Sequence, residues 1–327
     1  MKKILITGAS GFVAGHFIRS LSTRPDDFEI HAISRKQPAW DFFSESLDAL
    51  YTFHTADMMN ASRITSLIEK IHPDQILHLA AQSSVGESWN SPVASFVNNT
   101  TIFLNIIDAV RLMDNGARIL SVGSSEQYGV VAETDLPLTE DHPLRPANPY
   151  AVARVAQEQM AGVYHDGFGL DICSTRSFNH CGPGQTDRFV AGAITKQFAR
   201  ISLGLQDPVI EIGDGTIVRD FLDVRDVVAA YTLLLERGRS GQVYNICSGR
   251  GWAIRELVTL LSDRLQIPVT VKQNPMKRRP QDNPQIVGSS DKIQSQLGWQ
   301  SQIPLVDSLQ EMSVYWKTRL KHEHRSG

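Results

Sequence analysis

Short apolar runs alternate with longer stretches of helical period along the amino-terminal part of the chain. Residues 3–7, Lys-Ile-Leu-Ile-Thr, form an apolar run of strand length, and Phe17, Ile18 and Leu21 follow at helical spacing. Residues 29–33, 51–54, 75–81, 118–122, 170–175 and 242–246 read as further buried strands. Residues 62–71, 92–113 and an Ala-rich run opening at Tyr150 read as helices between them. Asn148 is a good N-cap for that last helix, and Pro149 suits its first position. Strands alternating with helices predict an α/β fold, a Rossmann-type doubly wound parallel sheet. The alternation fails after residue 175, so a smaller carboxy-terminal α/β substrate domain is expected, interleaved with the first. The expected division is 1–177 with 219–248 for the nucleotide-binding domain, and 178–218 with 249–327 for the substrate domain. Within the latter, 254–265 and 305–320 read as amphipathic helices and 269–271 as a strand, and the polar tail from Lys321 is expected to be disordered.

Composition narrows the class without naming it. With 327 residues, 42% hydrophobic and 20% charged, the chain has the make-up of an ordinary soluble protein of one to two domains. A net charge of -3 gives no overall attraction to nucleic acid or an anionic membrane, and neither partner is expected. Cys173, Cys181 and Cys247 lack metal-ligand or redox spacing, so no metal is expected, and they read as reduced thiols in a cytoplasmic protein. No leader pattern precedes the first strand, and no apolar run is expected to approach the roughly 20 residues of a membrane span.

Candidate chemistry sits at strand ends. Gly8-Ala-Ser-Gly11 joins the first strand to the first helix, with Ala14 and Gly15 following. Such a turn either cradles a pyrophosphate at the helix N-terminus or is merely a tight turn, and its place after the first strand favours the cradle. The second strand ends in Ser34-Arg35-Lys36 where an acidic residue would suit a free ribose hydroxyl, so a 2′-phosphate and hence NADP(H) is expected. Arg35 can also stack on adenine. Asp57, beside Met58, can bond the adenine amino group, and small residues at Leu79-Ala80-Ala81 let a cofactor lie against the strand end. Ser124 and Ser125 follow the apolar run 118–122, and Arg154 stands four residues after Tyr150 on one helix face. A serine with a tyrosine beside a fixed cation can move a proton to or from a carbonyl oxygen, although the same spacing also serves simple packing.

In this order the motifs resemble the extended short-chain dehydrogenases/reductases, which include nucleotide-sugar epimerases, dehydratases and reductases, over nearly the whole chain. The family's Thr-Gly-x-x-Gly-Phe-Ile/Val-Gly turn is matched by Thr7, Gly8, Gly11, Phe12 and Val13, with Ala14 in place of the last glycine. Ser124 and Tyr150 fall on its catalytic Ser/Thr and Tyr. Position 154 is arginine where the family has lysine. The resemblance implies that Arg154 binds the nicotinamide ribose and favours the phenolate, while any relay needing a neutral lysine is closed.

The runs Ser-Ser-Glu-x-Tyr-Gly from Ser124, Phe-Asn-His-x-Gly-Pro-Gly-Gln from Phe178 and Val-Arg-Asp-Phe-x-Asp-Val from Val218 resemble the members acting on GDP-mannose derivatives. On that resemblance Ser125 and Glu126 face the sugar, and Asn179, Arg219 and Arg279 hold the diphosphate. Phe189 and Val190 border the base, and Asp282 takes a ribose hydroxyl. His180 reads as a hydrogen-bonded structural histidine. The implied reaction is NADPH-dependent reduction of the C4 ketone of GDP-4-keto-6-deoxy-D-mannose to GDP-D-rhamnose. The alternatives are 4,6-dehydration of GDP-mannose, with Glu126 as the extra acid/base, and a regulator that binds NADP without turnover. A homodimer is implied, and the wide apolar surface of 92–113 suits its interface.

Overall fold

The computed structural model describes residues 1–277 and 283–325. The chain runs β1 (Lys2–Thr7), α1 (Phe12–Leu21), β2 (Phe28–Ser34), β3 (Thr52–Thr55), α2 (Ala61–Ile71), β4 (Gln75–His78), α3 (Val85–Asn90), α4 (Pro92–Met113) and β5 (Arg118–Val122). It continues with α5 (Pro149–Phe168), β6 (Ile172–Ser177), β7 (Asn179–Cys181), α6 (Val190–Ser202), β8 (Val209–Ile212), β9 (Val218–Asp223), α7 (Val224–Arg237) and β10 (Val243–Ile246). Last come β11 (Gly251–Ala253), α8 (Ile254–Leu265), β12 (Thr270–Gln273), β13 (Gln285–Ile286), α9 (Asp291–Leu297) and α10 (Leu305–Arg325).

Among the described residues, seven parallel strands form the main sheet in the order β10-β6-β5-β4-β1-β2-β3. The order reverses between β1 and β4, the crevice where open α/β sheets bind ligands. Side chains alternate across the sheet: Ile4 and Ile6 pack with α1 and α7 on one face, and Leu5 packs with α2, α4 and α5 on the other. Strand β9 lies in a second sheet, paired with β7, β11 and β13, and β12 pairs with β8. Helix α7 then carries the chain back to the main sheet, and α6, α8 and α10 pack around a separate apolar cluster. All three cysteines are buried and free.

Three expectations change. Helix α10 runs on to Arg325 instead of fraying at Lys321. Its buried Leu309, Met312, Trp316 and Leu320 keep helical spacing, and Arg319 pairs with Glu323 at 3.2 Å across the last turn. Helix α4, at 22 residues, is long and apolar enough to cross a membrane, contrary to the expected lack of such a run. In this fold it is a layer, with Phe103, Ile106, Ile107 and Val110 buried beside α2 and α5. Strand β4 stops at His78, because the Ala80 N–H turns to the Thr7 hydroxyl (3.2 Å).

Candidate active site

The β1–α1 turn is shaped for an anion. Gly8 has φ +70°, and a Cβ there would stand 2.8 Å from the backbone N and Cα of Ala80. Only glycine lets the turn lie so close to 79–81. Helix α1 begins after Gly11 with no side-chain cap, so its first N–H groups, from Phe12 and Val13 onward, are open to a ligand. Gly15, read from sequence only as a neighbour of the motif, has its own cause: a Cβ would collide with the Trp40 indole at 2.8 Å. Trp40 in turn donates from Nε1 to the Gly11 carbonyl (3.1 Å), bracing the turn from outside. Arg35 and Lys36 are exposed at the end of β2, whereas Ser34 is buried and donates to the Lys36 carbonyl at 2.6 Å. Asp57 is exposed, with one carboxylate oxygen accepting from Met59 N, and Met58 is buried. A diphosphate on the α1 N-terminus with a 2′-phosphate near Arg35 and Lys36 fits this donor set.

The residues expected to handle a proton lie at the end of β5. Ser124 opens a single helical turn and closes a reciprocal cap: its Oγ accepts from Glu126 N at 3.3 Å, and its own N–H donates to Gln127 Oε1 at 2.9 Å. Gln127 Nε2 donates to Glu158 Oε2 (2.7 Å), and Glu158 forms a buried two-point ion pair with Arg176 at 2.7 and 3.0 Å. The Ser124 turn is thereby tied to the helix that carries Tyr150. That helix starts where expected: Asn148 Oδ1 accepts from Ala151 N (2.8 Å), with Pro149 at the first position. The same Asn148 donates from Nδ2 to Glu126 Oε2 at 2.8 Å, holding that carboxylate beside the Tyr150 turn. Ser125 is buried.

Tyr150 and Arg154 meet as their spacing requires. Arg154 Nε donates to the Tyr150 oxygen at 3.1 Å, and its guanidinium carbon lies 5.2 Å from the ring centroid. Its Nη1 donates to Val122 O (3.1 Å) and to Gln157 Oε1 (2.5 Å). Because a guanidinium has no acceptor, the phenol cannot spend its own proton on Arg154. Behind this group His78 is fully buried at the end of β4, its Nδ1 3.0 Å from Thr7 Oγ1. Burial, and then the nearby Arg154 charge, pulls its pKa from 6.5 to about 3, so the ring is neutral. The Thr7 hydroxyl, which accepts from Ala80 N, also shares a hydrogen bond with that Nδ1, while Nε2 is buried with no hydrogen-bond partner among the described residues.

The residues expected to meet the sugar nucleotide lie on β7 and β9 of the smaller sheet and at the start of α6. Asn179 stands half-buried in β7, and its amide has no hydrogen-bond partner among the described residues. His180 makes the backbone bond expected of a structural histidine, to Phe178 O at 3.2 Å, and also stacks on Phe12 (5.9 Å between centroids), linking α1 to this segment. Phe189 and Val190 are half-buried at the start of α6, which has no side-chain cap. Arg219 is buried in β9 and donates from Nη1 to the carbonyls of Val218 (2.8 Å) and Asn283 (2.7 Å). Asp223 caps α7 and pairs with Arg225, as a local role requires, while Asp220 is enclosed by Ser248, Gly249 and Gly288. Arg279 and Asp282 lie outside the described residues.

Gln157 was not singled out from the sequence. Its position three residues after Arg154, on the same helix face, was the available signal.

Comparison with known proteins agrees with this geometry. Residues 5–312 match the family described as GDP-mannose 4,6 dehydratase. A GDP-6-deoxy-D-mannose reductase of Pseudomonas aeruginosa is 32% identical over 98% of this chain and 99% of its own. A GDP-mannose 4,6-dehydratase of Yersinia enterocolitica is 26% identical over 95% and 93%. Among solved structures, RMD from Pseudomonas aeruginosa complexed with NADPH aligns with a TM-score of 0.84 over 98% of both chains, at 32% identity. A Thermus thermophilus UDP-glucose 4-epimerase complexed with NAD aligns with a TM-score of 0.84 over 96% of this chain and 99% of its own, at 25% identity. Strand order and family match agree, and the chain belongs to the GDP-mannose 4,6-dehydratase family of extended short-chain dehydrogenases/reductases.

Proposed function

We propose that this protein is an NADPH-dependent reductase of the C4 ketone of GDP-4-keto-6-deoxy-D-mannose, forming GDP-D-rhamnose. The carrying observation is Tyr150, buried at the head of α5 with the Arg154 Nε–H on its oxygen at 3.1 Å. Bound NADPH supplies the hydride for the ketone carbon. Tyr150 gives its proton to the ketone oxygen, and the Ser124 hydroxyl, which accepts from Glu126 N, keeps its own proton for the same oxygen. Arg154 stabilises the phenolate left behind, a fixed charge already aimed at the place where charge develops. Gly8, Gly11, Phe12 and Val13 form the cofactor turn, with Arg35 as the 2′-phosphate residue. Asp57, Met58 and 79–81 flank the adenosine and nicotinamide halves. Asn179 and Arg219 serve the diphosphate, Phe189 and Val190 the base, and Ser125 and Glu126 the sugar. Identity favours the reductase, 32% against 26% for the Yersinia dehydratase.

One observation supports a second reading. Glu126 is held by Asn148 at 2.8 Å, and under this reading it is the extra acid/base that 4,6-dehydration of GDP-mannose needs. Incubation with NADPH and the 4-keto sugar separates the two. The reductase oxidises NADPH stoichiometrically, and Tyr150→Phe lowers the rate about 10²–10⁴-fold. Conversion of GDP-mannose to its 4-keto derivative without net NADPH loss supports dehydration, and tight NADPH binding without either reaction supports a regulator. The functional unit is a homodimer joined through α4 and α5, whose outer faces expose Val93, Phe96, Val97, Val152 and Val163.

A further inference from the structure

We infer that Gln157 is a positioning residue that makes an arginine workable at position 154. Tyr150, Arg154 and Gln157 lie on one face of α5, at successive turns, against the end of β5. Gln157 is 2% exposed, and its amide orientation is fixed from both sides. Nε2 donates to Ser121 Oγ at 2.8 Å and to the Val122 carbonyl at 3.2 Å, and Oε1 accepts from Arg154 Nη1 at 2.5 Å. A flipped amide would set its oxygen against a carbonyl and its NH2 against a guanidinium, neither of which can answer it.

The consequence falls on the guanidinium plane. An ammonium at this position would be a point charge that serves the tyrosine from any rotation about its stem. A guanidinium is a planar fork, and its Nε–H meets the Tyr150 oxygen in only one orientation. Val122 O alone leaves the fork free to swing about Nη1. Adding Gln157 Oε1 on that same nitrogen fixes the plane, with Nε on Tyr150 and Nη2 left without a hydrogen-bond partner among the described residues. Gln157 acts on the reaction only through Arg154.

The test is a cycle of Gln157→Met, which keeps the bulk and removes the amide, in the native protein and in Arg154→Lys. Its kinetic half rests on the reductase reading. There Gln157→Met is expected to lower kcat about tenfold in the native protein and less than twofold in the Arg154→Lys background, with KM for the sugar nucleotide little changed. The pH–rate profile should move only in the arginine background. The other half needs no turnover: the Arg154 Nε–H signal, assigned by its loss in Arg154→Lys, is expected to exchange slowly in the native protein and to broaden or vanish in Gln157→Met. Melting temperatures identify any variant that fails to fold, and Gln157→Leu then replaces it. Equal kinetic losses in both backgrounds, or an unchanged Nε–H signal, overturn the inference. An inactive native protein whose Nε–H still depends on Gln157 refutes the reductase reading and leaves the positioning role standing.

Discussion

His16 stacks on Phe42 (5.2 Å between centroids) and bonds the Pro183 carbonyl at 2.8 Å, while His78 lies buried between Thr7 and Phe103. Burial, the largest influence on each, brings their pKa values from 6.5 to about 4 and about 3. The unfolded chain therefore takes up protons below about pH 6.5 that the native state refuses. Stability from these residues is complete above that pH and is lost as pH falls to about 4 for His16 and about 3 for His78, by up to roughly 1.4 kcal/mol per pH unit for each. Asp220 works the other way: burial raises it from 3.8 to about 6, so the native state holds its proton more firmly across much of the same range. Two histidines against one carboxylate leave a net loss on acidification. Denaturant midpoints at pH 7 and pH 5 should fall on acidification in the native protein and fall less in His16→Phe. An identical fall in both would remove His16 from this account.

At the scale of elements, the Ser124 turn, α5 and β6 meet at one buried ion pair. Glu158 and Arg176 are both almost fully enclosed, and Gln127 hangs from the same carboxylate. Removing one partner strands a buried charge, so Glu158→Ala is expected to cost about 3–5 kcal/mol and to lower the melting temperature sharply. A loss under about 1 kcal/mol, the scale of an exposed pair, would contradict that role. Elements whose signals are local were legible in the sequence. Helix α4 has the expected bounds because Pro92 starts it and Asp114, in the left-handed conformation, closes it after Met113. Strand β6 begins two residues later than expected, at Ile172. Gly169 closes α5 with φ +74°, and Leu170 N still reaches back to Tyr164 O, so both residues belong to the helix end. The pairing of β9 with β7, β11 and β13 depends on partners far along the chain, and no periodicity within 218–223 reveals it. In the site, Tyr150 and Arg154 could be read from spacing alone. Gln157 could not be weighed without Ser121 and Val122, which β5 supplies.

At the scale of the whole molecule, the main sheet reverses its strand order between β1 and β4, and apolar side chains stand exposed on α4 and α5. Phe96 and Val97 on α4 are 41% and 43% exposed, and Val152 on α5 is 42% exposed, more apolar surface than isolated exposed residues account for. Phe96→Glu should turn a dimer into a monomer by light scattering while leaving its melting curve cooperative. A native protein that is monomeric at micromolar concentration would sink the proposed interface.

In the proposed reaction a hydride reaches the sugar's C4 while Tyr150 protonates the oxygen. This reaction is tested most directly with NADPH deuterated at both nicotinamide C4 positions and GDP-4-keto-6-deoxy-D-mannose, followed by mass spectrometry and proton NMR of the product. The account predicts a GDP-6-deoxyhexose carrying one deuterium, located at C4, formed by the native protein and nearly absent with Tyr150→Phe. A product without deuterium, deuterium at another carbon, or unchanged turnover by Tyr150→Phe would contradict it.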